Sequence, residues 1–390
     1  MISSRDRVRM TVAHAEPDHV PCDDSLFEDC RARFEREGLP ADVRDADAFE
    51  FDIEHLALDA SPRLPETLVE ETETQITFVH KAGYSATKWK NKSGALHYFD
   101  HVSRTRSDWE RLRRRLIVDV DGCARISRTS YFTPFVQYPG WDGAVAEYRE
   151  LRDTGRYILL GFYGPLEATW RHHGYVETLM DIVQAPDWVA EMMRTYTELV
   201  CKTVRRGWEL GIHPDGLFLI EDLGTTQGTL MSPTCFRELI LPCHAAIFTL
   251  ARELGLACFM HSDGRIHAIL DDLIGAGLEV LNPIDTGSGM DLVELKRRYG
   301  RRLTLFGGVS GRDMHDPARS NAQIDRAVPV AAKGGGYIYH SDHSVPPTVS
   351  LARSREILAR VRSCPARAAL ARGAADCASG HGREPAEPRT

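Results

Sequence analysis

From residue 157 onward the chain repeats one pattern: a short apolar run, a polar or glycine-rich end, then a stretch of helical period. The runs are "YILLGFYG" (157–164), "GLFLIEDLG" (216–224), "ACFMHSDG" (257–264), "EVLNPIDTG" (279–287), "LTLFGGVSG" (303–311) and "GYIYHSDHS" (336–344). Continuous apolar runs of this length predict strands buried on both faces, as in a parallel sheet covered by helices. Between them, "SPTCFRELILPCHAAIFTLARELG" predicts a helix that enters at Ser-Pro, is kinked or divided at Pro242 and stops at Gly255. "GRIHAILDDLIGAG" and "DLVELKRRYG" also end at glycine, the usual left-handed terminator.

Two further strands are predicted upstream, at "DHVPCDD" (18–24) and "AFEFDIEH" (48–55), which brings the βα units to eight. The stretch "ETQITFVHKAGYSATKWKNKSGALHYFD" alternates apolar and polar residues around Ala-Gly and Lys-Ser-Gly turns, so it predicts an antiparallel hairpin insertion at about 70–100. Eight such units predict an α/β fold, a single (β/α)8 barrel of the TIM type over residues 1–362, with a doubly wound open sheet as the competitor. Residues 363–390 are rich in Ala, Arg, Gly and Pro and predict a disordered tail.

Composition narrows the partners. The 390 residues are 43% hydrophobic and 27% charged, ordinary for a soluble globular chain. A net charge of −8 argues against nucleic acid, which needs a concentrated basic surface. The basic clusters "RLRRRL" (111–116) and "KRRYGRR" (296–302) read as solvated helix faces, with an acidic ligand as the minority reading. Nine cysteines are scattered without a CxxC pair, no signal-peptide core opens the chain, and no apolar run approaches ~18 residues. The expectation is a cytoplasmic protein with reduced thiols and no membrane association.

In a barrel of this kind the loops after the strands converge on the active site, so the strand ends carry the chemistry. In order they hold Asp23 and Asp24; Asp52 and Glu54; Tyr163 and Glu167; Glu221 and Asp222; His261 and Asp263; Asn282 and Asp285; Gly307 and Gly308; then His340, Asp342 and His343. A lone strand-end Asp is usually a helix cap. The tripeptide His-Ser-Asp is harder to dismiss, because it closes two apolar strands, at 261–263 and at 340–342. In a strand, residues two apart share a face. A histidine and a carboxylate from each of two strands can hold a divalent metal or form a proton-transfer site, and the residues alone leave both open. "GGG" (334–336) precedes a strand rather than opening a helix, so P-loop and Rossmann readings fail.

These residues carry a family resemblance. "SSRDRVRMTVAHAEPDHVPCDDS", "GFYGPLEATW", "DGLFLIEDLGTTQGTLMSPTCFRELILP", "FMHSDGRIHAILDDLIGAGLEVLNPID" and "GGGYIYHSDHSVPPTVSLARSREIL" resemble, in order, segments of uroporphyrinogen decarboxylase-superfamily proteins. The resemblance spans roughly residues 3–361 and implies one barrel with one cleft. It covers two chemistries. The decarboxylases are cofactor-free and carry an Arg-rich segment that holds the carboxylates of a tetrapyrrole. Here the matching place reads "CDDSLFEDCRARF", acidic where the family is basic. Asp222 falls near that branch's catalytic aspartate, and His343 near its later histidine.

The other branch moves methyl groups between corrinoid proteins, thiols and methylated substrates, on zinc held by His-x-Cys and a later Cys. The resemblance puts His261 on the first ligand, Asp263 on the first Cys, and His343 (or else Asp342 or His340) on the second. It implies a metal-dependent methyl or alkyl transferase with a divalent metal, zinc first, on His261, Asp263 and His343. Glu221, Asp222, His340 and Asp342 would be catalytic, and Asp23, Asp24, Tyr163, Glu167 and Asn282 would bind substrate. A corrinoid protein and a homodimer are the partner expectations. The alternatives are a metal-free decarboxylase of a carboxylated aromatic or tetrapyrrole, and a non-catalytic barrel that binds a small molecule or a corrinoid partner.

Overall fold

The computed structural model describes residues 2–130 and 133–364. The repeated apolar runs form the parallel strands of one sheet: β1 (Ile53–Leu58), β7 (Tyr157–Tyr163), β8 (Gly216–Ile220), β9 (Ala257–His261), β10 (Val280–Asn282), β11 (Thr304–Phe306) and β12 (Tyr337–Ile338). β6 (Ile126–Ser127) pairs antiparallel on the outer side of β1. The parallel strands lie in chain order, each beside the next, without the reversal that marks a doubly wound sheet. The fold is α/β with a mostly parallel sheet.

Residues 18–24 were expected as a full strand. They contribute only a bridge from Cys22 to Tyr339, although their backbone spans the gap between β12 and β1. Tyr339 N donates to Pro21 O, Asp23 N to Tyr339 O, and Asp52 N to Cys22 O. The strand expected at 48–55 also shifts. A short helix (Asp45–Ala48) occupies its beginning, and β1 runs from 53 to 58. Asp52 and Glu54 therefore stand at the start of β1, away from the strand ends, where Arg7 and Arg156 neutralise them at 2.5 and 2.9 Å.

The insertion is larger than a hairpin. β2 (Thr67–Glu71), β3 (Gln75–His80), β4 (Tyr84–Trp89) and β5 (His97–Phe99) make a four-stranded antiparallel sheet. The helical segment is divided next to Pro242, as expected. A π-type turn (Phe236–Ile240) precedes the helix Leu241–Glu253, which places the proline in the first helical turn, where its missing N–H is harmless. Pro233–Glu253 is the one segment among the described residues long and apolar enough to cross a membrane. "GGG" packs against the end of the first helix (Ser4–Val12), where a Cβ on Gly335 would lie 2.6 Å from Ala15 O. The last helix, Leu351–Ser363, takes in the first residue of the expected tail, and Cys364 is buried beneath it. The rest of the tail lies outside the described residues.

Candidate active site

Alternation along the strands builds the site in layers. Inside the sheet, Val8, Ile53, Tyr157, Leu159, Phe218, Phe259, Val280, Phe306 and Ile338 pack into a separate apolar plug. Two residues further along a strand the side chain returns to the same face. Ile53 is thus followed by His55, Phe218 by Ile220, Phe259 by His261, Val280 by Asn282 and Ile338 by His340. These second residues line a cavity of about 480 Å³ above the plug. Register holds the centre together, since Ile220, His261 and Asn282 are lateral neighbours on β8, β9 and β10. One more step of two brings Asp222 and Asp263 to the same side.

Asp222, His261 and Asp263 each offer one ligand atom within 4.8 Å of the others. His261 Nε2 lies 3.8 Å from Asp222 Oδ1 and 3.8 Å from Asp263 Oδ1. Its other nitrogen is fixed from behind. Asn282 Nδ2 donates to Phe306 O at 3.2 Å, which turns Asn282 Oδ1 toward His261 Nδ1 at 2.8 Å. An amide oxygen only accepts, so Nδ1 carries the proton and the neutral ring presents the Nε2 lone pair to the two carboxylates. Asp263 N donates to Asp222 Oδ1 at 2.9 Å, while Asp263 Oδ1 is buried with no hydrogen-bond partner. Burial, and secondarily the charge of Asp222, raises the Asp263 pKa against the pull of His261 and His343. One nitrogen lone pair and unsatisfied carboxylate oxygen aimed at a common point fit a divalent cation, as they would fit a proton on His261.

His343, expected as the third ligand, stands beside this group. Its Nδ1 accepts from Ser344 N at 2.9 Å, its Nε2 faces Asp263 Oδ2 at 3.7 Å, and its ring stacks on Phe27. With Nδ1 accepting, a neutral His343 carries its proton on Nε2, so it presents a donor to Asp263 and no lone pair.

The other expected residues divide. Asp23 and Asp24 line the cavity, as do Asn282 and His340. Asp23 Oδ2 pairs with His55 Nε2 at 2.9 Å. Asp24 accepts from Ser341 Oγ at 2.6 Å and faces His340 Nδ1 at 3.6 Å; burial pushes its carboxyl up to about 6. Asp342 turns away, accepting from Gly311 N and from the Thr286 hydroxyl, and lines a neighbouring cavity of about 390 Å³ that shares Asp263 and His343 with the first. Glu221, one residue before Asp222, points to the opposite face of the sheet. It is fully buried, accepts from Leu166 N at the start of the helix Pro165–His173, and pairs with His244 at 3.1 Å. Glu167 is bound to Arg171 at 2.9 Å, and the Arg171 guanidinium covers the Tyr163 ring at 4.3 Å. That cluster lies under the insertion and contributes nothing to the cavity lining.

Sequence reasoning missed His55, Phe218 and Phe306. The signal was the alternation Ile53, His55, Ala57, which the misplaced strand at 48–55 obscured. Among the described residues no Lys or Arg lines the cavity.

A family model described as Uroporphyrinogen decarboxylase (URO-D) matches residues 154–364, more than half of the chain. No curated protein matches the sequence. Among solved structures, a methyltransferase from Methanosarcina mazei superposes with a TM-score of 0.63 at 15% identity, covering 93% of this chain and 98% of that one. A likeness at that identity speaks for the fold alone. A ribulose-1,5-bisphosphate carboxylase/oxygenase from Pyrococcus horikoshii OT3 covers 57% of this chain and 47% of its own at 11% identity, and its TM-score of 0.27 carries no argument. With its parallel βα units in order and the family's model matching from the second parallel strand to the last helix, the chain belongs to the uroporphyrinogen decarboxylase family.

Proposed function

We propose that this chain is a methyl or alkyl transferase that holds a divalent metal, zinc by its donor set, on His261 Nε2 and the carboxylates of Asp222 and Asp263. The sheet, joined from β12 through residues 20–24 to β1, would then be a closed (β/α)8 barrel over residues 1–362 with this cavity at its mouth. The observation that carries the reading is the convergence of the His261 lone pair and the buried, partnerless Asp263 Oδ1. Lone pairs that converge in this way repel one another, and a cation bound between them offsets that repulsion. One nitrogen and two oxygens suit zinc and leave a coordination position open for substrate. In this reading Asp222 takes the ligand place that the resemblance implied for His343.

When bound, the metal supplies Lewis acidity to the oxygen or sulfur that gains or loses the alkyl group. The remaining work belongs to the chain. Asn282 fixes the His261 tautomer, His343 braces Asp263 from outside, and Phe218, Phe306, Ile220 and Pro283 exclude water from the reacting atoms. His340 and Asp24 line the same cavity and face each other at 3.6 Å, the place from which the chain would pass a proton. A small methylated compound and a thiol or partner-held corrinoid are the substrate classes that the methyltransferase-like resemblance supports. The carboxylates of Asp23, Asp24 and Asp263, with no Lys or Arg beside them among the described lining residues, disfavour a polycarboxylate.

The second reading is a metal-free decarboxylase in which His261 is an imidazolium. The 3.8 Å approach to both Asp222 and Asp263 suits that charge as well. The test is methyl transfer from free methylcobalamin to 2-mercaptoethanol by protein purified without an affinity tag. Turnover abolished by chelator dialysis, restored by zinc and absent in His261→Ala supports the proposal. Chelator-insensitive turnover, or none from zinc-loaded protein, overturns it.

A further inference from the structure

The wall of the cavity opposite the Asp222–His261–Asp263 group carries a second polar device that the reaction outlined above does not use. His55, on the inner face of β1, points into the cavity with 47% of its side chain accessible, while its partner Asp23 is almost completely buried. The bond between His55 Nε2 and Asp23 Oδ2 is 2.9 Å, so Nε2 is committed as donor. Nδ1 has no hydrogen-bond partner among the described residues, and the ring lines the cavity. Burial lowers the His55 pKa, but the charge and hydrogen bond of Asp23, helped by Glu54, outweigh it, and the net shift is upward.

Between the two polar ends lies an apolar floor. The Phe218 ring centroid is 6.3 Å from the His55 ring and 6.3 Å from the His261 ring, so one aromatic ring neighbours both. With Ile220 and Phe306 beside it, the floor suits a flat or slender apolar body whose two ends meet different chemistry.

We propose that His55 and Asp23 form a distal subsite that receives a hydroxyl group, alcohol or phenol, at one end of an apolar substrate whose other end lies at the Asp222–His261–Asp263 group. A hydroxyl suits this pair in either protonation state. It donates to the Nδ1 lone pair of a neutral ring, and it accepts from Nδ1–H when the ring is charged. Asp23 keeps the ring oriented and its charge available, and a hydrogen bond to a charged, desolvated partner is the strong kind. A carboxylate in the same place would meet Asp23 and Asp24 with no Lys or Arg among the described lining residues to balance it. The inference rests on the reading of this cavity as the substrate site, but it requires neither the metal nor turnover.

The experiment compares two probes that differ by one hydroxyl, 4-methylphenol and toluene. Binding to the full chain is measured by ligand-observed NMR, for wild type, His55→Leu, Asp23→Asn and His261→Ala, with thermal melts confirming that each variant folds. Wild type is expected to bind 4-methylphenol roughly tenfold or more tighter than toluene. His55→Leu and Asp23→Asn should each reduce that ratio to about threefold or less while leaving toluene affinity unchanged, and His261→Ala should preserve it. The histidine ring C–H signal missing from His55→Leu should shift in wild type on adding 4-methylphenol and stay still on adding toluene. Equal binding of the probes by wild type overturns the proposal. So does a preference that survives His55→Leu or vanishes in His261→Ala, or a loss of affinity for both probes alike. A protein that shows the hydroxyl preference but binds no zinc and transfers no methyl group would refute the function proposed above and leave this subsite standing.

Discussion

Replacing Asn282 by leucine removes the one group that holds His261 in ligand form without touching any proposed ligand. In the native arrangement a buried amide receives the Nδ1 proton at 2.8 Å and is itself anchored to Phe306 O at 3.2 Å. In Asn282→Leu the imidazole loses its orientation and tautomer bias. Deleting such an outer partner weakens metal binding by roughly 10- to 100-fold, about 1.4–2.7 kcal/mol. The Phe306 carbonyl loses its side-chain donor as well, so folding stability should fall by about 1–3 kcal/mol. Asn282→Asp separates the two effects. It keeps an acceptor for Nδ1–H and should hold zinc at least as tightly as wild type, while still forfeiting the bond to Phe306 O. Zinc affinity is read by competition with a chromophoric chelator, and stability by urea denaturation of the chelator-treated proteins. If Asn282→Leu binds zinc within about twofold of wild type, the orientation argument is wrong, whatever its stability.

Other outcomes follow from the same geometry. Asp24 titrates at about 6 in the folded protein against an ordinary 3.8, so folding favours its protonated form. Its contribution is fully present below about pH 4 and is lost as the pH rises to about 6, on the order of 3 kcal/mol. Urea midpoints of wild type and Asp24→Asn at pH 4.5 and pH 7 should therefore diverge, the variant gaining relative stability at the higher pH. Glu221→Ala should cost about 2–4 kcal/mol by leaving His244 and Leu166 N without their buried partner, yet retain zinc, since the carboxylate faces away from the cavity. Equilibrium unfolding with metal analysis checks both halves. Asp215, at the opposite end of the sheet, is fully buried and bound by Arg5, Arg9 and Arg152 at 2.7, 3.1 and 2.7 Å. Asp215→Ala should destabilise by about 1–3 kcal/mol, because it leaves the Ile158 N–H and the inner side of Arg152 without their buried acceptor while Arg5 and Arg9 turn to solvent, and calorimetry would show it.

Long apolar runs made the parallel strands legible, since strands covered on both faces have no polar alternation to confuse. The first strands were harder. Residues 18–24 meet their neighbours through only a few backbone bonds, and no local pattern distinguishes such a contact from a full strand. At 48–55 a helix built on Asp45–Ala48 consumed residues that read as strand, so Asp52 and Glu54 were assigned to the wrong end. The repeated His-Ser-Asp did mark two walls of the cavity. His261 and Asp263 meet Asp222 there, but Asp342 bends away to Gly311 and Thr286. Side-chain direction after a strand end depends on the loop, which sequence spacing does not record. Glu221 and Asp222 show the opposite case, where simple alternation sends adjacent carboxylates to opposite faces of the sheet.

The most direct test is anomalous diffraction at the zinc edge from crystals of untagged protein. The account predicts a peak at about 2.0–2.2 Å from His261 Nε2 and from one oxygen each of Asp222 and Asp263, with His343 outside bonding distance. A map without that peak, in which His261 Nε2 is hydrogen-bonded to a carboxylate in zinc-supplemented crystals, would contradict it.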